Sequence, residues 1–147
     1  MFKPFKSAWA LALMPGLACA ALGQKIDLSP SAPVAGRQMT AAPNGAPYRV
    51  VQDQDAAGRV IRQYVAADGT VFAVAWSGAT LPNLQQLLGS YFQAYRQAQQ
   101  ANRHGLNVMR GTIGGMVVQT RGRVGDFAGF AYDAALVPAG VSPEQLP

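Results

Sequence analysis

Asp68-Gly69-Thr70-Val71-Phe72-Ala73-Val74-Ala75-Trp76, followed after a short break by Leu81-Pro82-Asn83-Leu84-Gln85-Gln86-Leu87-Leu88-Gly89-Ser90-Tyr91-Phe92, decides the fold. Ala67-Asp68-Gly69 reads as a tight turn, because Asp bonds the backbone just ahead of it and Gly accepts positive φ. Val71, Ala73 and Ala75 then alternate with Phe72, Val74 and Trp76, so this strand is apolar on both faces. A strand of that kind belongs inside a sheet, covered on both sides or with its small face under a helix. The helix comes next. Leu84, Leu87, Leu88, Tyr91, Phe92 and Tyr95 fall at i, i+3, i+4, i+7, i+8 and i+11, while Gln85, Gln86, Gln93, Gln97 and Gln100 cover the other side. The spacing predicts one amphipathic helix over 82–102, with Pro82 in its first turn and Gly105 in its C-terminal cap region. Burying six such side chains contributes about 1.5–3 kcal/mol each before chain entropy is subtracted.

Working outward, Tyr48 to Gln54 and Arg59 to Ala66 read as strands joined by the turn Asp55-Ala56-Ala57-Gly58. Leu106 to Arg110, Met116 to Arg121 and Phe127 to Tyr132 read as three more, separated by glycine-rich runs at 111–115 and 122–125. Links this short join antiparallel neighbours. The expected fold class is therefore α+β, an antiparallel sheet of five or six strands packed on one amphipathic helix, in the order βββ-α-βββ. One such domain is expected over 48–147, with the tail from Pro138 wrapping its surface.

Residues 21–47 are rich in Ala, Pro, Ser and Gly, with few large apolar side chains and no periodicity, and read as a Pro/Ala-rich flexible linker. Residues 1–20 have the layout of a secretory signal peptide. Lys3 and Lys6 open it, an apolar stretch runs from Ala8 to Leu17, and Ala18-Cys19-Ala20 is a small-x-small cleavage site. Cleavage is expected between Ala20 and Ala21. The uncharged run from Ser7 to Leu22 is short for a membrane span, which needs about 20 apolar residues, so no transmembrane span is expected once the leader is gone. A lipid-modified Cys19 is the minor alternative, against which Gly16-Leu17-Ala18 stands in the wrong order. The expected location is the periplasm or the medium.

Removing 1–20 takes Lys3 and Lys6, and the formal charge falls from +5 to +3. It also takes the one cysteine, leaving no disulfide and no thiol nucleophile in an oxidising compartment. Mild basicity without a basic cluster interleaved with aromatics does not describe a nucleic-acid binder. Gly111-Thr112-Ile113-Gly114-Gly115 is not a phosphate loop, since a strand follows and the Lys-Ser/Thr pair is missing.

Catalytic chemistry finds little support. His104 lies at the predicted helix end, where an imidazolium meets the negative end of the dipole. Asp126 and Asp133 bracket a predicted strand and, with His104, form the weak alternative of a small periplasmic hydrolase. One His, no mature Cys and scattered acids hold no metal, and no cofactor is expected. Two binding candidates remain. Arg110, Arg121 and Arg123 lie on or beside neighbouring C-terminal strands, and Arg96, Arg103 and His104 cluster at the helix end; either set suits an acidic glycan, a lipid surface or an acidic partner. Trp76, at a strand end before Ser77-Gly78, either stacks on a ligand or plugs the core.

The strand Gly69-Thr70-Val71-Phe72-Ala73-Val74-Ala75-Trp76, the helix start Leu81-Pro82-Asn83-Leu84, the Ala21-Leu22-Gly23 after the cleavage site and the closing Val137-Pro138-Ala139-Gly140-Val141 together resemble a family of small exported bacterial proteins, domain of unknown function 2844. The resemblance covers nearly the whole chain. It implies export and a single domain, and brings no activity, cofactor or catalytic residue with it.

The sum is a monomeric, exported module of the cell envelope that binds rather than catalyses, through a sheet face or edge one helix leaves open. Its partner is an envelope protein or an acidic glycan or lipid surface. A protein that packs into surface structures by self-association is a further possibility.

Overall fold

The computed structural model describes residues 20–26, 38–103, 105 and 107–146. The protein is α+β. Seven strands run in chain order as β1 Gln38–Ala41, β2 Tyr48–Gln54, β3 Val60–Ala66, β4 Val71–Gly78, β5 Val108–Ile113, β6 Met116–Arg123 and β7 Asp126–Asp133. They form one sheet in the spatial order β1-β2-β3-β4-β7-β6-β5, with every neighbouring pair antiparallel. Between β4 and β5 the chain crosses one face of the sheet through α1 Leu84–Leu88, a single 3-10 turn Gly89–Tyr91, and α2 Phe92–Ala101. It lands at the far edge and returns toward the centre, so β7 pairs with β4.

The turns follow from their residues. Asp55 Oδ1 accepts from the N–H groups of Ala57 and Arg59, each at 3.0 Å, and Asp68 Oδ1 accepts from Thr70 N–H at 3.0 Å. The chain turns between β5 and β6 on Gly114 and Gly115, both at positive φ (57° and 90°), as a two-residue hairpin loop requires.

Three details differ from the sequence reading. The sheet has seven strands rather than five or six, and the order is ββββ-α-βββ. The added strand, β1 (Gln38-Met39-Thr40-Ala41), is short, exposed along its length and paired with β2, and it lacks the apolar alternation that marks a strand in sequence. The predicted single helix is broken. Gly89 sits at φ 54°, and a Cβ there would come 2.8 Å from the Cβ of Ala21, because the N-terminal segment passes against that point. Asn83, not Pro82, starts the helix, its Oδ1 accepting from Gln86 N–H at 3.1 Å.

Residues 21–47, expected as a flexible linker, carry ordered structure at both ends. Leu22 has no exposed surface. Its N–H donates to Leu87 O at 3.0 Å, Gly23 N–H donates to Val71 O at 2.8 Å, and Ile26 N–H donates to Gly69 O at 2.8 Å. This segment wedges between α1 and the sheet.

The helices and Leu22 cover one face, over Val51, Val65, Val74, Trp76, Met116 and Val118. The second face carries Tyr48, Tyr64 and Phe72, with Leu136, Val137, Val141 and Leu146 of the C-terminal segment packed against them. The second face, read from the sequence as open, is therefore closed by the tail over β2, β3 and β4. Among the described residues no helix is long and apolar enough to cross a membrane.

Candidate functional site

The open part of the second face is formed by β5, β6 and β7. The Gly114-Gly115 loop sets Met116 opposite Ile113, and that register places Arg110 opposite Gln119 and Arg121 opposite Val108. Side chains alternate across a strand, so Arg110, Arg121 and Arg123 all stand on the same face, away from the helices. Across the next pairs, Gln119 lies opposite Phe130, Arg121 opposite Ala128 and Arg123 opposite Asp126. Further in, Phe130 pairs with Ala75 and Ala128 with Ser77, and Ala75 pairs with Arg62.

This geometry leaves a groove. Ala128, Ala75 and Ser77 are small, and they lie beside large Phe130, so the floor is low where its neighbours stand high. One cavity of about 380 Å³ is lined by Val108, Arg110, Gln119, Arg121, Ala128 and Phe130, with backbone of the strands between. A second, of about 280 Å³, is lined by Arg62, Ser77, Arg121, Ala128, Phe130 and Leu146 among others. Phe130 is held from behind by Tyr64 at 6.2 Å and Tyr132 at 5.6 Å between ring centroids. Arg110 Nη2 donates to Gln119 Oε1 at 3.2 Å, and Arg62 Nε donates to Gln52 Oε1 at 2.9 Å. Among the described residues no carboxylate lines either cavity. Asp126 stands at the outer end of the face, opposite Arg123.

The other sequence candidates separate. Trp76 is buried at 2% exposure, on the helix face of the sheet. Its indole lies across Gly129, where a Cβ would meet Cζ2 at 2.1 Å, and its Nε1 has no hydrogen-bond partner among the described residues. Asp133 is buried at the inner end of β7, where Oδ2 accepts from Tyr91 Oη at 2.5 Å and Oδ1 from Ala135 N–H at 2.8 Å. Burial first, then the hydrogen bond to Asp133 and its charge, push the Tyr91 phenol up to about 12. Asp126 is exposed at the opposite end of β7, about 23 Å away at the rise of an extended strand, so the two carboxylates do not share a cleft. His104 lies outside the described residues. Arg96 lines a cleft of about 380 Å³ between α2 and the β5–β6 end, with Gln99, Gln100 and Asn102; it meets the strands at Met109, Thr120 and Arg121, which also border the first cavity. Ala20 and Ala21, the expected cleavage pair, are half-buried, and the Ala20 carbonyl accepts from Gln63 Nε2. Among the described residues no three of His, Cys, Asp and Glu come together as a metal site would require.

Sequence reasoning singled out the three arginines, of which Arg110 and Arg121 line the groove, and not the floor beneath them. Phe130, Ala128 and Val108 carried the signal in their alternation, but which face they shared with the arginines depends on a register that only the hairpin loops fix.

A family model described as "Protein of unknown function (DUF2844)" matches residues 18–146. No curated protein and no solved structure matches the chain.

Proposed function

The chain belongs to the DUF2844 family of proteins of unknown function, and from that premise we propose that it is an exported, non-enzymatic binding module whose working surface is the open face of β5, β6 and β7. The leader at 1–20 would carry it out of the cytoplasm, and an acidic partner in the envelope would occupy the face. One observation carries the reading. Arg110 and Arg121 stand diagonally across one strand pair over an apolar groove, and no carboxylate lines that groove among the described residues. Cations whose groove holds no carboxylate among the described residues, beside a concave apolar floor, suit an external anion better than they suit stability.

A photo-crosslinking residue at Gln119, compared with one at Gln97 on the exposed side of α2, tests this in exporting cells. Adducts at 119 that vanish when Arg110 and Arg121 are both changed to Glu support the reading. Adducts equal at both positions, or indifferent to the charge reversal, overturn it.

A further inference from the structure

The two cavities share Arg121, Ala128, Gly129 and Phe130, so they form one continuous groove. It runs from β5 across β6, β7 and β4 to β3, a span of about 19 Å at the usual strand spacing. Each part is close to the lower end of small-ligand sites, which hold about 300–1,000 Å³. Its two parts differ in chemistry. Around Val108, Ala128 and Phe130 the floor is apolar, with Arg110 and Gln119 at the rim. Beyond Phe130, Arg62, Ser77 and Arg121 line the second part, with Leu146 of the C-terminal segment as an apolar wall. Arg62 and Arg121 line this part from β3 and β6, on either side of β4 and β7; Ser77 ends the row Arg121-Ala128-Ser77, and Arg62 ends the neighbouring row Gln119-Phe130-Ala75-Arg62.

The geometry points to an amphiphilic anion as the ligand: a single acyl or aryl body lying over Phe130 and Ala128, ending in a carboxylate or phosphate held by Arg121, Arg62 and Ser77. This rests on the reading of the face as a site for an acidic partner, and narrows it to a small molecule. A sugar acid fits less well. Sugars need several fixed polar partners along their length, and the neutral polar side chains lining the two cavities are few. One of them, Gln119, already accepts from Arg110. A simple phosphate fits less well too, because it would leave the apolar half wet. An acyl chain with an oxyanion head uses both halves at once, and guanidinium groups are suited to carboxylate and phosphate alike.

Calorimetric titration of the purified chain with decanoate and decyl phosphate, each below its micelle concentration, tests the assignment. Decanol and inorganic phosphate serve as half-ligands. Saturable binding of decanoate or decyl phosphate is expected, with decanol and phosphate each weaker by at least about tenfold, the loss of one charge-assisted contact or of the chain. Arg121→Ala and Arg62→Ala should each weaken the preferred ligand by about tenfold or more, while Arg96→Ala on the opposite face leaves it unchanged. Which head binds more tightly separates a fatty-acid-like from a phospholipid-like source. Decanol binding as tightly as decanoate, or R121A binding as wild type with its circular dichroism intact, overturns the assignment. If neither amphiphile binds while charge-dependent adducts at position 119 persist, the ligand class is wrong and the acidic-partner reading stands. If the adducts fail as well, both fall.

Discussion

Tyr91 donates to Asp133 Oδ2 at 2.5 Å, and this one bond ties the break in the helix to the end of the last strand. The Asp133 carboxylate also receives Ala135 N–H, which turns the chain toward the tail that covers the second face. Tyr91→Phe removes the donor and leaves Asp133 its backbone partner, and should cost about 1.5–3 kcal/mol, as hydrogen bonds to charged groups do. Its pH signature is specific. The phenol is held up to about 12 in the folded state, above its unfolded value near 10, so the folded chain binds that proton more tightly. The stabilisation is full below pH 10 and is lost as pH rises through about 12. Denaturant titrations at pH 9 and pH 12 should therefore show the gap between wild type and Y91F closing at the higher pH. Comparison with Y91F also removes the contribution of Tyr64 and Tyr95, whose phenols burial raises as well. A gap that stays constant would mean that the Tyr91 phenol binds its proton equally well in the folded and the unfolded chain.

Gly129 owes its identity to Trp76. A Cβ at 129 would fall 2.1 Å from Cζ2 and 2.8 Å from Nε1 of the indole, inside a buried layer that cannot open without moving a central strand. Gly129→Ala should destabilise by about 1–3 kcal/mol or more through overpacking. Trp76→Phe alone should also destabilise, by leaving a cavity. Combined, the two should cost less than their sum, because the smaller ring makes room for the methyl. Thermal or urea unfolding of the four proteins gives the coupling directly, and strict additivity would show that the ring and the glycine do not meet.

Leu22 tests whether the segment 20–26 belongs to the core. It is fully buried against α1 and β4 and its N–H bonds to Leu87 O. Leu22→Ala should cost about 2–5 kcal/mol, the range for a large buried side chain reduced to Ala. Lys25→Ala, an exposed neighbour, should cost within about 0.5 kcal/mol. Equal and small effects would return this segment to the status of a tether.

The same segment shows where the sequence stops being informative. The strand 71–76 and the leucine spacing of 84–95 were legible because many residues repeat one pattern, and a pattern of that length outweighs local exceptions. Leu22 is a single large apolar residue among Ala, Gly, Gln and Lys, and its burial is decided by a cavity built from α1 and β4, far along the chain. Gly89 continues the helical pattern in sequence for the same reason, since its close neighbour, Ala21, comes from a segment far along the chain. The site behaved alike. Arg110, Arg121 and Arg123 were visible as charges on strands, while Arg62 came into the groove only through the pairing of β3 with β4 and of β4 with β7. The order β4-β7 joins residues far apart in sequence, and no local signal encodes it.

Ala128 offers a test of the groove that leaves its charges alone. It lies on the floor between Arg121 and Ser77, half-buried, and lines both parts of the groove. Ala128→Phe should fill that space with a residue well suited to a strand, so folded stability should stay within about 1 kcal/mol of wild type. All the arginines remain, so attraction to a flat acidic surface should survive. Binding of decanoate should fall by at least about tenfold, since the body of the ligand and the new ring compete for one volume. The contrast with R121A is the informative part. R121A should weaken decanoate and acidic surfaces together, whereas A128F should weaken decanoate alone. If A128F binds decanoate as wild type does, the ligand is held by charge at the rim and the concavity is incidental. Titration of both variants against decanoate and against anionic vesicles distinguishes the two.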